Sequence, residues 1–342
     1  MKKSLNLGIC ILISIILLVG CGRTTNNKNQ GDNNSNNGAS SKEEKVDINI
    51  ASLKGPTTMG MVKLMEDSEK GLTENNYAVS MTGTADEIVT KLVKGEIDIA
   101  AIPCNLASVI YNKTKGEISI AAVNTLGVLY VVENGNDINS IEDLKGKTIY
   151  TTGKGTTPEY VLNYILKGNN LEPNKDVTIE YKSESTEIAT LLSDDSDAIA
   201  MIPQPFVTIA QSKNNNLRIA LDMTKEWEEL QGQEGSSLVT GVVVARNEFI
   251  KNNKEAFDKY LEDYKISTEY VNSNVEDAST LIEKYDIAPA MVAKKAVPLC
   301  NITYIDGDEM KVKVSGYLKA LFEANPQSIG GTVPMDDFYY KK

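Results

Sequence analysis

The sequence predicts an α/β protein of two lobes, each built on a parallel-type sheet flanked by helices, with two strands joining the lobes. The stretches EIVTKLVKGEIDIAAIP and EIATLLSDDSDAIAMIP end at Pro103 and Pro203. The 27 residues from Glu87 align without a gap on those from Glu187, with nine identities. The same offset of 100 residues aligns INIASLKGPTT with TIYTTGKGTTP. Self-similarity at a constant offset indicates one structural unit present twice.

Each copy predicts the same order of elements, which is strand, helix, strand, helix, strand. Alternating β-branched residues in VDINIAS and KTIYTT predict the first strands, and a glycine-containing turn closes each of them. YAVSMTG and VTIEYKS predict the second strands, and the amphipathic segments ADEIVTKLVKG and STEIATLLSDD predict the second helices. The apolar runs IDIAAIP and DAIAMIP predict buried third strands ended by proline. This alternation favours parallel strands with right-handed crossovers.

Two segments with an internal glycine are predicted to be strands that cross between the lobes. TLGVLYVVENG contains Gly127 and lies between the copies, whereas SSLVTGVVVARNEFI contains Gly241 and follows the second copy. We therefore expect residues 46–132 and 241–342 to form lobe one, and residues 133–240 to form lobe two. The C-terminal part is predicted to be helical, with two apolar faces that we assign to the core. One face holds Phe257, Tyr260, Leu261, Tyr264, Thr268 and Val271, and the other holds Met310, Val314, Tyr317, Leu318 and Leu321.

The first 45 residues predict export and a lipid anchor. A short basic start precedes an apolar run that ends in LVGC at Cys21, which is the pattern of a lipoprotein signal peptide. The run is shorter than the roughly 20 residues that a membrane-spanning helix needs. We expect residues 1–20 to be cleaved, Cys21 to be lipidated and residues 21–45, rich in Asn and Ser, to form a flexible tether. The protein is therefore expected outside the cytoplasm, anchored to a bacterial cell membrane.

Composition and charge limit the classes of function. A net charge of −12 disfavours nucleic acid and anionic lipid as partners, which leaves the lipid anchor as the expected membrane contact. The chain contains no histidine, which removes Ser-His-Asp and Cys-His catalytic systems and histidine metal sites. We expect no cofactor, no metal and no catalytic residue, although Cys104 is a candidate nucleophile without an evident base. The spacing of Cys104 and Cys300 does not require a disulfide, and we expect two free buried thiols.

The lipobox, the tether, the two repeated lobes and the stretch DLKGKTIYTTGKGTTPEYVLNYIL (143–166) together resemble the solute-binding lipoproteins of ABC importers. Within these, the chain is most similar to the group that handles alkanesulfonates, taurine, nitrate or thiamine-pyrimidine precursors. The resemblance covers essentially the whole mature chain. It implies a type II periplasmic-binding fold that closes on a small ligand, a monomer, and an ABC importer permease as partner. Two alternatives stay open: an enzyme on the same fold, similar to pyrimidine synthases or chorismate-type dehydratases, and a surface scaffold lipoprotein.

The repeat also predicts where a ligand binds. Ligands of parallel α/β sheets lie at the carboxyl ends of the strands, where helix N-termini present free N–H groups. The turns LKGPTTMG and GKGTTPE occupy this position, one in each lobe, and favour an anionic or carbonyl-like group. The loops PCNLAS and PQPFVT end the third strands on the same edge. The candidate ligand-binding residues are Lys54, Gly55, Pro56, Thr57, Thr58, Cys104, Asn105, Thr125, Gly155, Thr156, Thr157 and Gln204.

Several of these candidates have a structural alternative. The threonines can cap their helices rather than contact a ligand. Asn105 and Gln204 can be solvated loop residues. Trp227, in TKEWEEL, can stack on a heteroaromatic ligand or cover a helix.

Overall fold

A computed structural model describes residues 45–194, 197–232 and 236–342. The predicted signal peptide, the lipidation site at Cys21 and the tether up to residue 44 lie outside the described residues. The described residues form one compact unit. In the part of the chain that is described, no helix is both long enough and apolar enough to span a bilayer.

The described ranges contain eleven strands. They are β1 (Asp47–Leu53), β2 (Asn76–Thr82), β3 (Ile99–Pro103), β4 (Ile118–Thr125), β5 (Leu129–Glu133), β6 (Thr148–Thr151), β7 (Thr178–Tyr181), β8 (Ile199–Pro203), β9 (Arg218–Asp222), β10 (Gly241–Arg246) and β11 (Ile302–Ile305). Every residue of β3, β4 and β5 is buried. Strands covered on both faces need apolar side chains on both, which explains the apolar runs IAAIP, IAAV and LYVV within these strands.

Thirteen α-helices pack on these strands within the same ranges. They are α1 (Pro56–Met59), α2 (Val62–Glu69), α3 (Ala85–Lys94), α4 (Cys104–Thr114), α5 (Thr157–Gly168), α6 (Ser185–Asp194), α7 (Phe206–Lys213), α8 (Met223–Gln231), α9 (Asn247–Asn252), α10 (Lys254–Ser273), α11 (Val275–Lys284), α12 (Ala290–Ala296) and α13 (Gly307–Ala324). Short 3₁₀ turns cover Ile141–Leu144, Val297–Leu299, Pro326–Ile329 and Asp336–Phe338.

The ends of α3 show how the local sequence sets these helices. Asp86 and Glu87 lie in its first turn, and Lys91 and Lys94 lie in its last turn, so charges of both signs complement the helix dipole. Gly95 follows the last turn with a φ of 74°, and its N–H closes the helix by bonding to carbonyl oxygens of that turn. A left-handed residue at this position is favourable for glycine because it has no Cβ.

The two sheets share the topology of five strands, to which the first sheet adds β11 at one edge. The first sheet has the strand order β11-β4-β10-β3-β1-β2, and the second has β9-β5-β8-β6-β7 when read in the same direction. The first three strands of each copy are parallel to one another. β10 in the first sheet and β5 in the second run antiparallel to both of their neighbours. The α/β class with two helix-flanked sheets is confirmed, and both sheets are mixed rather than wholly parallel.

The crossings between the sheets differ in detail from the sequence prediction. The segment around Gly127 is not one strand, because β4 ends at Thr125 and β5 begins in the other sheet at Leu129. The second sheet therefore begins before residue 133, where lobe two was predicted to start. Gly241 is the first residue of β10 rather than an internal one. The division into two lobes that close as separate bodies stays a prediction.

A Cβ would not fit at either crossing glycine. On Gly127 it would stand 2.0 Å from Thr224 Oγ1, and on Gly241 it would stand 2.5 Å from Asn124 Oδ1 and 2.8 Å from Thr57 Cγ2. Close approach of neighbouring side chains, rather than an unusual backbone angle, therefore requires glycine at both positions.

The two C-terminal apolar faces are confirmed as core. All residues predicted on the faces of α10 and α13 are buried. Trp227 is fully buried as well, and its indole N–H donates to the Ser236 carbonyl oxygen over 2.8 Å. Its ring lies 4.5 Å from that of Tyr164 and 5.4 Å from that of Tyr317, measured between centroids. Trp227 therefore packs α8 against its neighbouring helices as part of an aromatic cluster. Of the two alternatives, the structure supports the one in which Trp227 covers a helix.

Candidate functional site

The candidate residues lie at matching edges of the two sheets. In the first sheet β1, β3 and β4 end at this edge and β10 begins there, because β10 is antiparallel to its neighbours. In the second sheet β6, β8 and β9 end at the corresponding edge and β5 begins there. The backbone N–H of Cys104 bonds to the Thr240 carbonyl, and that of Gln204 bonds to the Val128 carbonyl. Each third strand is thus tied to a segment that crosses between the sheets.

The threonine hydroxyls of the first glycine-threonine turn are hydrogen-bonded to the protein backbone. Gly55 has a φ of 137°, and its carbonyl accepts from the N–H groups of Thr58 and Met59 to start α1. The hydroxyls of Thr57 and Thr58 donate to the Leu53 carbonyl oxygen over 2.7 and 2.5 Å. Both threonines therefore satisfy the end of β1 from inside the turn.

The two remaining residues of this turn differ in environment. Lys54 is half-exposed and forms a 3.1 Å ion pair with Asp286, which is almost fully exposed. Its ammonium group is directed at that carboxylate on the surface. Pro56 is buried at the first position of α1, where the missing N–H of proline costs no intrahelical hydrogen bond.

The second turn is organised around a carboxylate. The N–H of Gly155 donates to a carboxylate oxygen of Glu159, which lies in the first turn of α5. The Thr156 hydroxyl donates to the Gly153 carbonyl oxygen over 2.7 Å. An acidic side chain thus already occupies a free N–H of this turn, and it complements the helix dipole at the same point.

Thr157 and Asn105 connect the two edges directly. The Thr157 hydroxyl donates to Asn105 Oδ1 over 3.2 Å, and it accepts from the Tyr317 hydroxyl over 3.4 Å. Asn105 Nδ2 donates to the Ser328 carbonyl oxygen over 3.0 Å. All three side chains are buried. Asn105 is therefore a buried connecting residue, which corrects the alternative of a solvated loop position.

Gln204 and Thr125 are buried at the same edges. Gln204 Oε1 accepts from the hydroxyl of Thr208 at 2.9 Å and from its backbone N–H at 3.3 Å, in the first turn of α7. Gln204 Nε2 has no protein partner, and neither has Thr125 Oγ1. The peptide bond between Gln204 and Pro205 is cis. Gln204 is therefore not a solvated loop residue, and the NH₂ group of its side-chain amide has no hydrogen-bond partner in the protein.

Cys104 does not have the environment of a nucleophile. It is the first residue of α4 and is fully buried. Burial raises the pKa of its thiol well above the ordinary value, so the thiol is protonated at neutral pH. Cys300 is also buried with a raised thiol pKa, and the two cysteines are free, as expected. Within the described ranges no group of three or more acidic or cysteine side chains could hold a metal ion.

The sequence prediction missed further polar side chains beside these edges. Buried side-chain atoms without a protein hydrogen-bond partner include both polar atoms of Asn124 and the hydroxyls of Thr224, Thr240, Tyr264 and Thr268. Most buried polar groups in proteins are hydrogen-bonded, so such a concentration is unusual. One signal was available in the sequence, because IAAVNT aligns with IALDMT, which places Thr224, in the first turn of α8 directly after β9, at the position equivalent to Thr125 at the end of β4.

Comparison with known proteins agrees with this architecture. The profile of the family described as Menaquinone biosynthesis matches residues 57–298. YtlA of Bacillus subtilis (strain 168), which is named as a binding protein on a provisional basis, is 22% identical over 221 residues, or 63% of this chain. The chain spans 62% of the length of that relative.

Solved structures share the fold at low sequence identity. An ABC transporter from Parabacteroides distasonis superposes with a TM-score of 0.71 and 24% identity, over 87% of this chain and 100% of that one. The periplasmic aliphatic sulphonate binding protein SsuA from Escherichia coli superposes with a TM-score of 0.68 and 16% identity, over 87% and 93% of the two chains. The chain therefore has the fold of periplasmic binding proteins, as the resemblance implied.

Proposed function

This chain belongs to the Menaquinone biosynthesis family, and we propose that within it the protein is an extracytoplasmic substrate-binding component that delivers a small polar organic solute to an ABC importer. The fold shared with the P. distasonis transporter protein and with SsuA supports this proposal, as does the provisional assignment of YtlA. The ABC importer permease is the partner that this function requires.

The observation that carries the proposal is the set of unused polar atoms at the facing strand ends. Thr125, Gln204, Thr224 and Thr240 each bury a polar atom that no protein group satisfies, and all four lie at or next to a crossing between the sheets. Leaving such atoms unsatisfied costs about 1 to 3 kcal/mol each, so the chain gains stability when a polar ligand binds them. A surface scaffold has no need of such a buried polar edge.

An enzyme on the same fold remains the second candidate, because the family name refers to biosynthesis. The described residues give catalysis little support. The Cys104 thiol is buried and protonated, and the chain has no histidine to act as its base. We therefore propose that the protein binds its ligand without converting it.

The N-terminal segment completes the proposed function. We propose that Cys21 carries the lipid anchor and that residues 21–45 tether the compact unit to the outer face of the cell membrane. The lipobox in LVGC supports this assignment. A monomer suffices for this role, because one copy supplies both facing edges.

Native mass spectrometry of the protein as purified tests the proposal directly. We expect a noncovalent small molecule of constant mass that is lost on denaturation, and a higher melting temperature in a fractionated metabolite extract. Thr125→Val, which removes one unused hydroxyl, should lower the ligand-bound fraction, whereas Thr190→Val should not, because Thr190 is exposed and its hydroxyl bonds within its own helix. Absence of any bound molecule, together with no stabilisation by any fraction, would contradict the proposal.

A further inference from the structure

Asn124 presents both halves of its carboxamide without a partner. It is fully buried near the end of β4, and neither Oδ1 nor Nδ2 bonds to a protein atom. It packs closely against Gly241 and the first glycine-threonine turn, since a Cβ on Gly241 would stand 2.5 Å from Asn124 Oδ1 and 2.8 Å from Thr57 Cγ2. The carboxamide therefore adjoins the first glycine-threonine turn, at the edge where the ligand is proposed to bind.

Two hydroxyls from α10 lie beside the same carboxamide. Those of Tyr264 and Thr268 are buried and form no hydrogen bond of normal geometry with the protein, and they lie 3.4 and 3.3 Å from the position that a Cβ on Gly60 would take. Burial raises the pKa of Tyr264, and interactions of its hydroxyl with the Asn124 and Thr268 side chains lower it in part, so the three polar groups lie within reach of one another. Tyr264 is therefore a neutral hydroxyl at physiological pH. We call Asn124, Tyr264 and Thr268 the Asn124 cluster.

The basic side chains near the two edges are exposed rather than buried. Lys54 pairs with Asp286 at the surface, and the exposed Lys154 of the second turn lies over the Tyr181 ring. Among the described residues, Glu133 is the one charged side chain that is buried, and it bonds to Arg218 at the opposite ends of β5 and β9. The Gly155 N–H is taken by the Glu159 carboxylate. No buried cation of the described residues is therefore available to an anionic ligand, and the second turn holds one acidic and one basic side chain, Glu159 and Lys154.

We propose that the Asn124 cluster recognises an uncharged ligand group that carries a hydrogen-bond donor and acceptor side by side, such as a carboxamide or the lactam edge of a heterocycle. This inference rests on the proposed binding function and narrows its ligand class. An Asn side chain offers an acceptor on one side and two donors on the other. A donor–acceptor edge satisfies both sides at once, whereas a sulfonate or carboxylate would satisfy Nδ2 and leave Oδ1 facing another acceptor.

Uncharged and anionic probes test the proposal, with nicotinamide and nicotinate as an isosteric pair that differs in charge. Nicotinamide and uracil represent the uncharged class, and nicotinate and ethanesulfonate represent the anionic class. Binding of each to the full chain is measured by isothermal titration calorimetry. We expect at least one uncharged probe to bind, and nicotinamide to bind at least roughly tenfold more tightly than nicotinate, because the loss of one or two hydrogen bonds weakens binding by about that factor.

Two substitutions test which residues recognise the uncharged probe. Asn124→Leu removes the carboxamide at similar volume, and we expect at least roughly tenfold weaker binding of the uncharged probe. Tyr264→Phe removes only a hydroxyl and should weaken binding a few-fold. Tyr260→Phe is the matched control, because its hydroxyl is equally buried and unpartnered one turn away in α10 and is not part of the cluster. It should leave affinity unchanged.

Melting temperature without ligand separates recognition from a structural role. Replacing a buried polar group that has no partner should leave the melting temperature of Asn124→Leu unchanged or raised, even though the variant loses affinity. A lowered melting temperature with unchanged affinity would overturn the inference, as would preferential binding of the anionic probes or a lack of binding by both uncharged probes.

The same data distinguish this inference from the function on which it rests. Anionic probes that bind equally well to the parent and to Asn124→Leu would refute the inference and leave the binding function standing. If neither class binds and no molecule is retained on purification, both fail together.

Discussion

The hydrogen bonds of Thr157 offer a direct test of how the two edges are held together. Thr157→Val keeps the β-branched shape of the side chain and removes its hydroxyl. That hydroxyl donates to Asn105 Oδ1 over 3.2 Å and accepts from the Tyr317 hydroxyl over 3.4 Å, among fully buried side chains. The substitution therefore leaves two buried polar atoms without their partners.

The magnitude follows from these two contacts. A buried polar group left unsatisfied costs about 1 to 3 kcal/mol. The Tyr317 contact is long, so its share lies at the low end. We expect Thr157→Val to lower the free energy of unfolding by about 2 kcal/mol, which is close to a thirtyfold change in the folding equilibrium.

Urea unfolding without ligand, followed by circular dichroism, measures this loss as a lower midpoint at an unchanged m-value. Thr157→Ser keeps the hydroxyl and should recover most of the stability. In a double-mutant cycle, Tyr317→Phe should be non-additive with Thr157→Val, because the two residues share one hydrogen bond. A Thr157→Val protein within about 0.5 kcal/mol of the parent would refute the assignment of a stabilising connection between the edges.

Four further predictions concern other parts of the chain. Gly241→Ala should lower the free energy of unfolding by about 1 to 3 kcal/mol, because its Cβ would stand 2.5 Å from a neighbouring carboxamide oxygen. Cys104 and Cys300 should resist iodoacetamide at pH 8 in the folded protein and react in urea, since burial raises both thiol pKa values. Hydrogen bonds from two lysines lower the pKa of Glu66 from 4.5 to about 2. Its contribution to stability is therefore present above about pH 4.5 and lost as the pH falls towards about 2, and Glu66→Gln should flatten acid unfolding in that window. Cys21→Ser should leave the protein unprocessed or shed from the membrane fraction.

Each of these predictions has an outcome that counts against it. Gly135→Ala is the control for the glycine variant, because the nearest atom to its Cβ would be 3.7 Å away, and equal stability of the two variants would contradict the steric argument. Rapid labelling of the folded protein would contradict the burial of the thiols. An unchanged acid limb in Glu66→Gln would remove the electrostatic explanation. An unchanged membrane fraction for Cys21→Ser would refute the lipid anchor.

Local sequence pattern was a reliable guide to the elements and their order. β-branched alternation, apolar runs and helical spacing depend on side chains a few residues apart, and the structure confirms both copies of the repeat in topology. The pattern was less informative at the crossings. Val128–Val132 continues the apolar run after Gly127, and only pairing with β8 and β9 shows that β5 belongs to the other sheet.

The same distinction applies to the candidate site, of which the sequence predicted one part and not the other. The sequence determined that two equivalent turns and two equivalent third-strand ends meet a crossing segment, because a repeated parallel unit brings its strand ends to one edge. It could not assign partners to the hydroxyls and amides, since Thr57 and Thr58 use their own turn whereas Thr157 uses Asn105 in the other copy. It also placed Tyr264 in an apolar core stripe.

Only the tertiary structure brings the hydroxyl of Tyr264 beside the Asn124 carboxamide, from a helix 140 residues further along the chain. The physical reason is that periodicity encodes which face of an element is buried. The polar atoms that remain without hydrogen-bond partners depend on how elements distant in sequence pack against one another. Local sequence pattern therefore determined the fold, whereas tertiary packing determined the chemistry of the proposed ligand site.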